Sequence, residues 1–333
     1  MLAAAGRPVE VGGNIGRPVL DCARLDAQGT YVVELSSYQI DLAPSLVCDV
    51  AVLINVSSDH LDRHGDMAGY VAVKRRIFNG QTGAKAAVVG VDDDHCRATY
   101  QWLKDQGHAN VVPIAVGRAL EEGVFVQGGV LNDRIAGDAG TVDLAGIKAL
   151  RGAHNWQNVA AAYAAVRSIG LSRDDIARAL PGFPGLPHRM ESVAVINGVE
   201  YINDSKATNA DAAARALETF DDIYWIAGGR SKQGGYAALE PYLPRVRRAY
   251  LIGEAAPSMA AAFGDQTDVV QTKTLERAVA AASRDTALSG SDGRRPVILL
   301  SPACASFDQF DDYEARGEAF RTLVSSLASR GAA

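Results

Sequence analysis

The chain is 333 residues long, 48% hydrophobic and 22% charged, with a formal net charge of -6. That composition excludes disorder, collagen and coiled coil, leaves room for two domains of roughly 150 residues each, and argues against nucleic acid as a partner, since such ligands select basic surfaces. The longest apolar run, Val159 to Val166, is far short of the roughly 18 residues of a membrane-spanning helix, and no basic segment followed by an apolar one opens the chain, so a cytoplasmic protein without membrane insertion is expected.

In chain order, Leu2 to Pro8 read as the last turn of a helix, with Gly6 at its end and Pro8 beyond it. A helix that short cannot stand alone. The start is therefore either frayed or in the middle of a domain. Short β-branched runs then alternate with alanine-rich segments, the pattern of a mostly parallel sheet covered by helices. Strands are predicted at Tyr31 to Leu35, Val50 to Asn55, Ala86 to Gly90, Val111 to Ile114, Val193 to Ile196, Ile223 to Ala227, Ala249 to Gly253 and Val297 to Ser301. Helices are predicted at Met67 to Phe78, Asp93 to Asp105, Asn155 to Ser168, Asp211 to Thr219, Leu275 to Ala287 and Gln309 to Leu327. Between Pro181 and Pro187, three prolines and two glycines in seven residues exclude helix. The domain break is set there, giving domains 1–186 and 187–333. Cys22, Cys48, Cys96 and Cys304 form no Cys-x-x-Cys pair and read as small buried residues in a reducing compartment.

In a doubly wound sheet, ligands bind beyond the carboxyl ends of the strands, so the segments following each strand carry the information. The first strand runs into Glu34-Leu35-Ser36-Ser37-Tyr38-Gln39, and the second into Ser57-Ser58-Asp59-His60-Leu61-Asp62. These oxygen and imidazole groups suit a hard cation such as Mg2+. Asp59 and Asp62 suit caps or turns equally well, and His60 suits an ordinary hydrogen-bonded role. Lys74 shares a helical stripe with Tyr70 and Phe78. Its spacing alone favours a stem on apolar surface with the amine in water.

Gly152 to Asn158 is a polar cluster opening an alanine-rich helix, with Asn155 in position for an N-cap. Past the linker come Pro187-His188-Arg189 and then Asp204-Ser205-Lys206-Ala207-Thr208-Asn209, where an acid, a lysine and hydroxyls between strand and helix suit an anion site. Gly228-Gly229-Arg230-Ser231-Lys232 has the composition of an anion loop without a phosphate-loop spelling. Ser301-Pro302-Ala303-Cys304-Ala305-Ser306 leads into the last helix. There Cys304 reads as a buried small residue rather than a nucleophile, and Ser306 as a possible cap.

Taken together and in this order, the segments from Gly12-Gly13-Asn14-Ile15-Gly16 to the last helix resemble the Mur ligase family of peptidoglycan synthesis. Asp204 to Asn209 and Ser301 to Ser306 resemble its D-glutamate-adding branch. The resemblance implies an α/β fold: a Mur ligase-like central ATPase domain, mostly parallel and incomplete at its N-terminus, followed by a Rossmann-like C-terminal glutamate-ligase domain. It further implies a monomeric, ATP-dependent ligase that joins D-glutamate to UDP-N-acetylmuramoyl-L-alanine through an acyl phosphate. By motif position, Glu34 and His60 would hold Mg2+, and Lys74 would be carbamylated and support a second ion. Asn14, Ser36 and Gln39 would contact the UDP-sugar, while Asn155, Arg189 and Asp204 would bind ATP. Lys206 and Thr208 would lie near the acyl phosphate, and Thr208, Lys232, Ser306, Phe307 and Tyr313 around D-glutamate. Lys74, His60 and Lys206 would be the catalytic set.

Family members also carry an N-terminal uridine-binding domain and a Gly-Lys-Ser/Thr phosphate loop before the Asn-Ile-Gly motif. None of the seven lysines here follows a glycine, so that loop is not spelled in these residues. An N-terminally truncated member is expected, turning over very slowly or not at all. A folylpolyglutamate synthase-like ligase and an inactive protein that binds D-glutamate or nucleotide are the alternatives.

Overall fold

A computed structural model describes residues 1–135, 139–232, 234–288 and 295–331. Contacts divide the chain into two compact units, Met1–Phe183 and Pro184–Ala333.

In the first unit, β1 (Val9–Gly13) and β2 (Thr30–Glu34) form a parallel pair. A six-stranded sheet follows, in the order β3 (Val50–Leu53), β4 (Ala86–Gly90), β5 (Val111–Val116), β6 (Gly123–Gln127), β7 (Val130–Arg134), β8 (Gly140–Asp143). Strands β3 to β6 are parallel, whereas β7 and β8 return antiparallel. All five residues of β4 are buried, as expected of a parallel strand covered on both faces. One cover is α5 (Ala153–Ser168) with α6 (Arg173–Ala179), which pack Val159, Tyr163 and Ile176 against Val88 and Ile114. The other is α3 (Met67–Arg75) and α4 (Asp94–Asp105), which present Tyr70, Val71, Cys96 and Leu103 to Ala87 and Val89. Short helices α1 (Ser37–Leu42) and α2 (Leu61–His64) follow β2 and β3 directly.

The second unit has one sheet in the order β13 (Val269–Lys273), β12 (Val246–Ile252), β11 (Ile223–Gly228), β14 (Val297–Leu300), β10 (Val199–Asn203), β9 (Glu191–Ile196). Only β9 is antiparallel to its neighbour. The chain steps outward from β11 to β13, then returns to place β14 between β11 and β10. The carboxyl ends of β10, β14 and β11 thus lie side by side where strand order reverses, the position in which such sheets bind ligands. Helices α7 (Ala210–Thr219) and α8 (Ala256–Phe263) cover one face through Leu217, Met259 and Phe263. Helices α9 (Leu275–Leu288) and α10 (Tyr313–Gly331) cover the other, with Val279, Ala282, Phe320 and Val324 against Ile298 and Leu300.

The eight predicted strands and the helical segments recur within a few residues of their predicted limits. Three readings are corrected. The last helix starts at Tyr313 rather than Gln309, because the Asp312 side chain caps it there, accepting from the Ala315 amide at 2.6 Å, while Asp308 is drawn away to the Glu254 amide beyond β12. Ser306 therefore caps no helix, and its carbonyl accepts from Gln309 and Phe310 instead. Cys96 and Cys304 are buried as expected, but Cys22 and Cys48 are only partly so. No helix among the described residues is long and apolar enough to cross a membrane.

Candidate functional site

Two groups of polar side chains stand at strand ends, one in each unit. In the first unit, β1 and β2 bring Asn14 beside Glu34, the Asn14 amide donating to the Glu34 carbonyl at 2.9 Å. The Glu34 side chain is exposed and, among the described residues, engages no other group. Ser36 then opens α1 with a reciprocal cap: its hydroxyl accepts from the Gln39 amide, and Gln39 Oε1 accepts from the Ser36 amide at 2.9 Å. The cap satisfies two helix-end donors and sets Ser36 and Gln39 together at the rim.

His60 ends the segment after β3 and adopts φ 51°, a left-handed conformation that a non-glycine residue holds only when its surroundings impose it. Its ring meets the edge of Tyr38 at 5.2 Å, and its Nε2 lies 3.4 Å from Asp59 Oδ2. From there an unbroken run of contacts reaches Lys74. His64 Nε2 is 3.0 Å from Ser37 Oγ, the His64 ring is 5.5 Å from Tyr70, and Lys74 Nζ sits 5.4 Å above the Tyr70 ring. Asp41 fastens the assembly by accepting from Arg63 at 2.9 Å and Arg76 at 2.7 Å. Lys74 is thus half-buried, its amine in a cation–π contact with Tyr70. Tyr38, His64 and Asp41 join the group without having been singled out from the sequence. Their signal was the placement of one tyrosine, one histidine and one acid on short helices directly after strands.

Asn155 is not an N-cap. Gly152, at φ 93°, precedes the first turn of α5 and offers no side chain. Asn155 is inside that turn, nearly buried, and its Nδ2 donates to the Arg151 carbonyl at 2.8 Å. A chain of amides from Asn55 through Gln157 to Asp92 ties the ends of β3 and β4 to the start of α5.

In the second unit, Asp204 follows β10 and is 5% exposed. It accepts from Ser301 Oγ, at the end of β14, at 2.8 Å and from the Met190 amide at 3.2 Å. Burial nevertheless pushes its carboxyl up to about 7, the nearby Arg189 charge and the two hydrogen bonds pulling the other way. Beside it, His188 Nδ1 is 3.0 Å from Asn203 Nδ2 and Arg189 is exposed. His188, Met190 and Ala303 all have positive φ, so backbone strain gathers at this rim.

Two loops are pinned together where β11 and β14 end. The Arg230 amide donates to Ala305 O at 2.8 Å and the Ala305 amide to Arg230 O at 3.0 Å. A side chain on Gly229 would put its Cβ 2.2 Å from Ala305 O, so only glycine allows this approach. The result gathers the expected residues: Lys232 Nζ donates to Thr208 Oγ1 at 3.3 Å, and Lys206 Nζ stands 5.4 Å above the Tyr313 ring. Ser306 is buried and Phe307 is 63% exposed. Burial raises the Cys304 thiol to about 11, which removes it as a nucleophile at neutral pH. The arrangement offers cations, hydroxyls and one carboxylate around an open rim, a composition suited to phosphates and an amino acid.

Residues 19–166 match the Mur ligase middle domain and residues 188–304 the Mur ligase glutamate ligase domain. The UDP-N-acetylmuramoylalanine--D-glutamate ligase of Caulobacter vibrioides is 48% identical over 99% of this chain, and that of Rhodospirillum rubrum is 50% identical over 100% of it. The chain spans 70% of each relative's length. Among solved structures, the MurF ligase of Thermotoga maritima in complex with ADP superposes with a TM-score of 0.65 at 17% identity, covering 98% of this chain and 76% of that one. At that identity the likeness speaks for the fold.

Proposed function

Because the chain belongs to the Mur ligase family, we propose that it supplies the middle and C-terminal parts of an enzyme that joins D-glutamate to UDP-N-acetylmuramoyl-L-alanine with ATP, in peptidoglycan biosynthesis. The observation that carries this reading is the meeting of Lys232 with Thr208 and of Lys206 with Tyr313, in the loops after β10 and β11 and at the start of α10, within a chain about half identical to ligases of that name. The enzyme works in the cytoplasm as a monomer and serves cell-wall growth, shape and division.

The chemistry proceeds in two displacements. A carboxylate oxygen of the sugar peptide attacks the γ-phosphorus, ADP leaves, and an acyl phosphate forms. The D-glutamate amine then attacks the acyl carbon, phosphate leaves with the bonding pair, and the amine loses a proton. Both steps concentrate negative charge, which fixed cations stabilise without reorganising. Lys206 is assigned to the transferring phosphoryl group, and Lys232, Thr208, Ser306, Phe307 and Tyr313 to D-glutamate. Asn155, Arg189 and Asp204 are assigned to the nucleotide, and Asn14, Ser36 and Gln39 to the UDP-sugar.

Among the described residues no three His, Cys, Asp or Glu side chains converge as a metal cage. Mg2+ does not require one, since it keeps waters and substrate phosphates in its shell. The exposed Glu34 carboxylate and the His60 imidazole fit as its protein donors. Lys74 would join only as a carbamate, whose carboxylate is a hard oxygen ligand. Bound there, the ion would neutralise phosphate charge.

A chimera tests the reading. The part of the Rhodospirillum rubrum ligase that this chain does not cover is joined to it, and phosphate release is followed. Release that requires ATP, D-glutamate and the UDP-sugar, and that disappears in Lys206→Ala, is expected. A folded chimera that binds ligands without turnover would instead favour an inactive binding protein.

A further inference from the structure

Arg316, on α10, is 1% exposed, and every group it engages is a hydroxyl or a carbonyl. Its Nε donates to Ser205 Oγ at 3.0 Å, Nη2 to Ser205 O at 2.9 Å and Cys304 O at 3.2 Å, and Nη1 to Cys304 O at 3.2 Å. A longer contact of 3.5 Å joins Nη1 to Gly228 O. Ser205 Oγ itself donates to Tyr313 O at 2.8 Å, closing the link to the start of α10. Burial lowers the guanidinium to about 10, so it remains charged at neutral pH.

A buried cation with no carboxylate hydrogen-bonded to it among the described residues, and only the charge of Asp308 nearby to favour it, is costly, and an apolar side chain of similar volume usually fills such a space as well or better. What an apolar side chain lacks is the planar fork, which can hold several oxygens at set angles. The oxygens held here belong to the segments after β10 and β14 and to the last residue of β11, where the third loop begins. Those segments continue into Lys206 and Thr208, into Arg230 and Lys232, and into Ser306 and Phe307.

We propose that Arg316 is a positioning residue of the glutamate-ligase site, its guanidinium fixing the spacing of the three loops that carry the ligand-binding side chains. What the loops bind rests on the function proposed above, whereas the clamp stands on the geometry alone. Substitution of Arg316 should loosen three separated segments at once and leave the rest of the unit intact.

The test is Arg316→Ala in the full chain, followed by hydrogen-exchange mass spectrometry. Exchange should rise about tenfold or more after β10, β11 and β14, and change less than about twofold in β12, β13 and the first unit. Added ethylguanidinium should restore protection and propylammonium should not, because only the former has the fork. Equal rescue by both would reduce Arg316 to a space-filling cation and overturn the proposal, as would loosening spread evenly over the unit. Should the alanine variant fail to fold, Arg316→Lys keeps charge and stem and should show the same three-segment pattern; unchanged protection would refute the clamp. D-glutamate binding, followed by ligand-observed NMR on the same samples, separates the two ideas. A parent chain that does not bind D-glutamate defeats the functional reading while exchange still decides the clamp. A parent chain that binds it should lose about tenfold or more in affinity in Arg316→Ala and regain it with ethylguanidinium alone.

Discussion

Asp204 provides a quantitative test, because a carboxylate buried at a strand end works against stability. Its folded value of about 7 stands above the ordinary 3.8. A raised carboxyl means that the folded state holds its proton more tightly than the unfolded state. Its contribution is therefore present at low pH, is lost as pH rises from about 4 to about 7, and is flat above that. The full interval corresponds to about 4 kcal/mol, and the part between pH 5 and pH 7 to about 3 kcal/mol. Asp204→Asn removes the charge and keeps the geometry, since the amide oxygen can accept from Met190 and the amide nitrogen can donate to Ser301. The stability of the Asn variant relative to the parent should therefore rise by about 3 kcal/mol between pH 5 and pH 8. Urea titrations read by Trp225 fluorescence provide the assay, because the other two tryptophans, Trp102 and Trp156, lie in the first unit. A difference independent of pH, or one that shrinks with rising pH, would refute the reasoning. A stabilising substitution at a rim residue is the expected mark of a side chain kept for function.

Further outcomes follow from the same geometry. Gly229→Ala, at φ 131° and with its Cβ 2.2 Å from Ala305 O, should destabilise the second unit by at least about 2 kcal/mol in thermal or urea unfolding. Asp41→Asn weakens the hold on Arg63 and Arg76 and should cost about 1 kcal/mol, with faster amide exchange confined to α1–α3. The 333-residue chain alone, in which no lysine follows a glycine, should release no phosphate above background in a coupled assay with all three substrates.

The parallel framework was legible because buried strands such as Ala86–Gly90 are continuous apolar runs and alanine-rich helices announce themselves between them. The parallel strands β1, β6 and β13 were missed, and so was the antiparallel return through β7 and β8, since short strands carrying Asn132, Asp133 and Arg134 offer little apolar alternation. Motif order brought Lys206, Thr208, Lys232 and Tyr313 into view, and in the structure Lys232 meets Thr208 and Lys206 meets Tyr313. Their support did not show. An arginine on a helix such as α10 reads as a solvated residue, and only the meeting of three strand ends reveals that Arg316 is buried among carbonyls. Asn155 was misread for a related reason: polar residues near a helix start look like caps, but Gly152 sets where α5 begins.

The central claim, that this chain holds the D-glutamate-binding part of a Mur ligase, is tested most directly by ligand-observed NMR with D-glutamate and L-glutamate. The account predicts binding of the D enantiomer in preference to the L, weakened by Lys232→Ala and by Ser306→Ala in chains that remain folded. Absence of binding, or equal binding of both enantiomers, would contradict it.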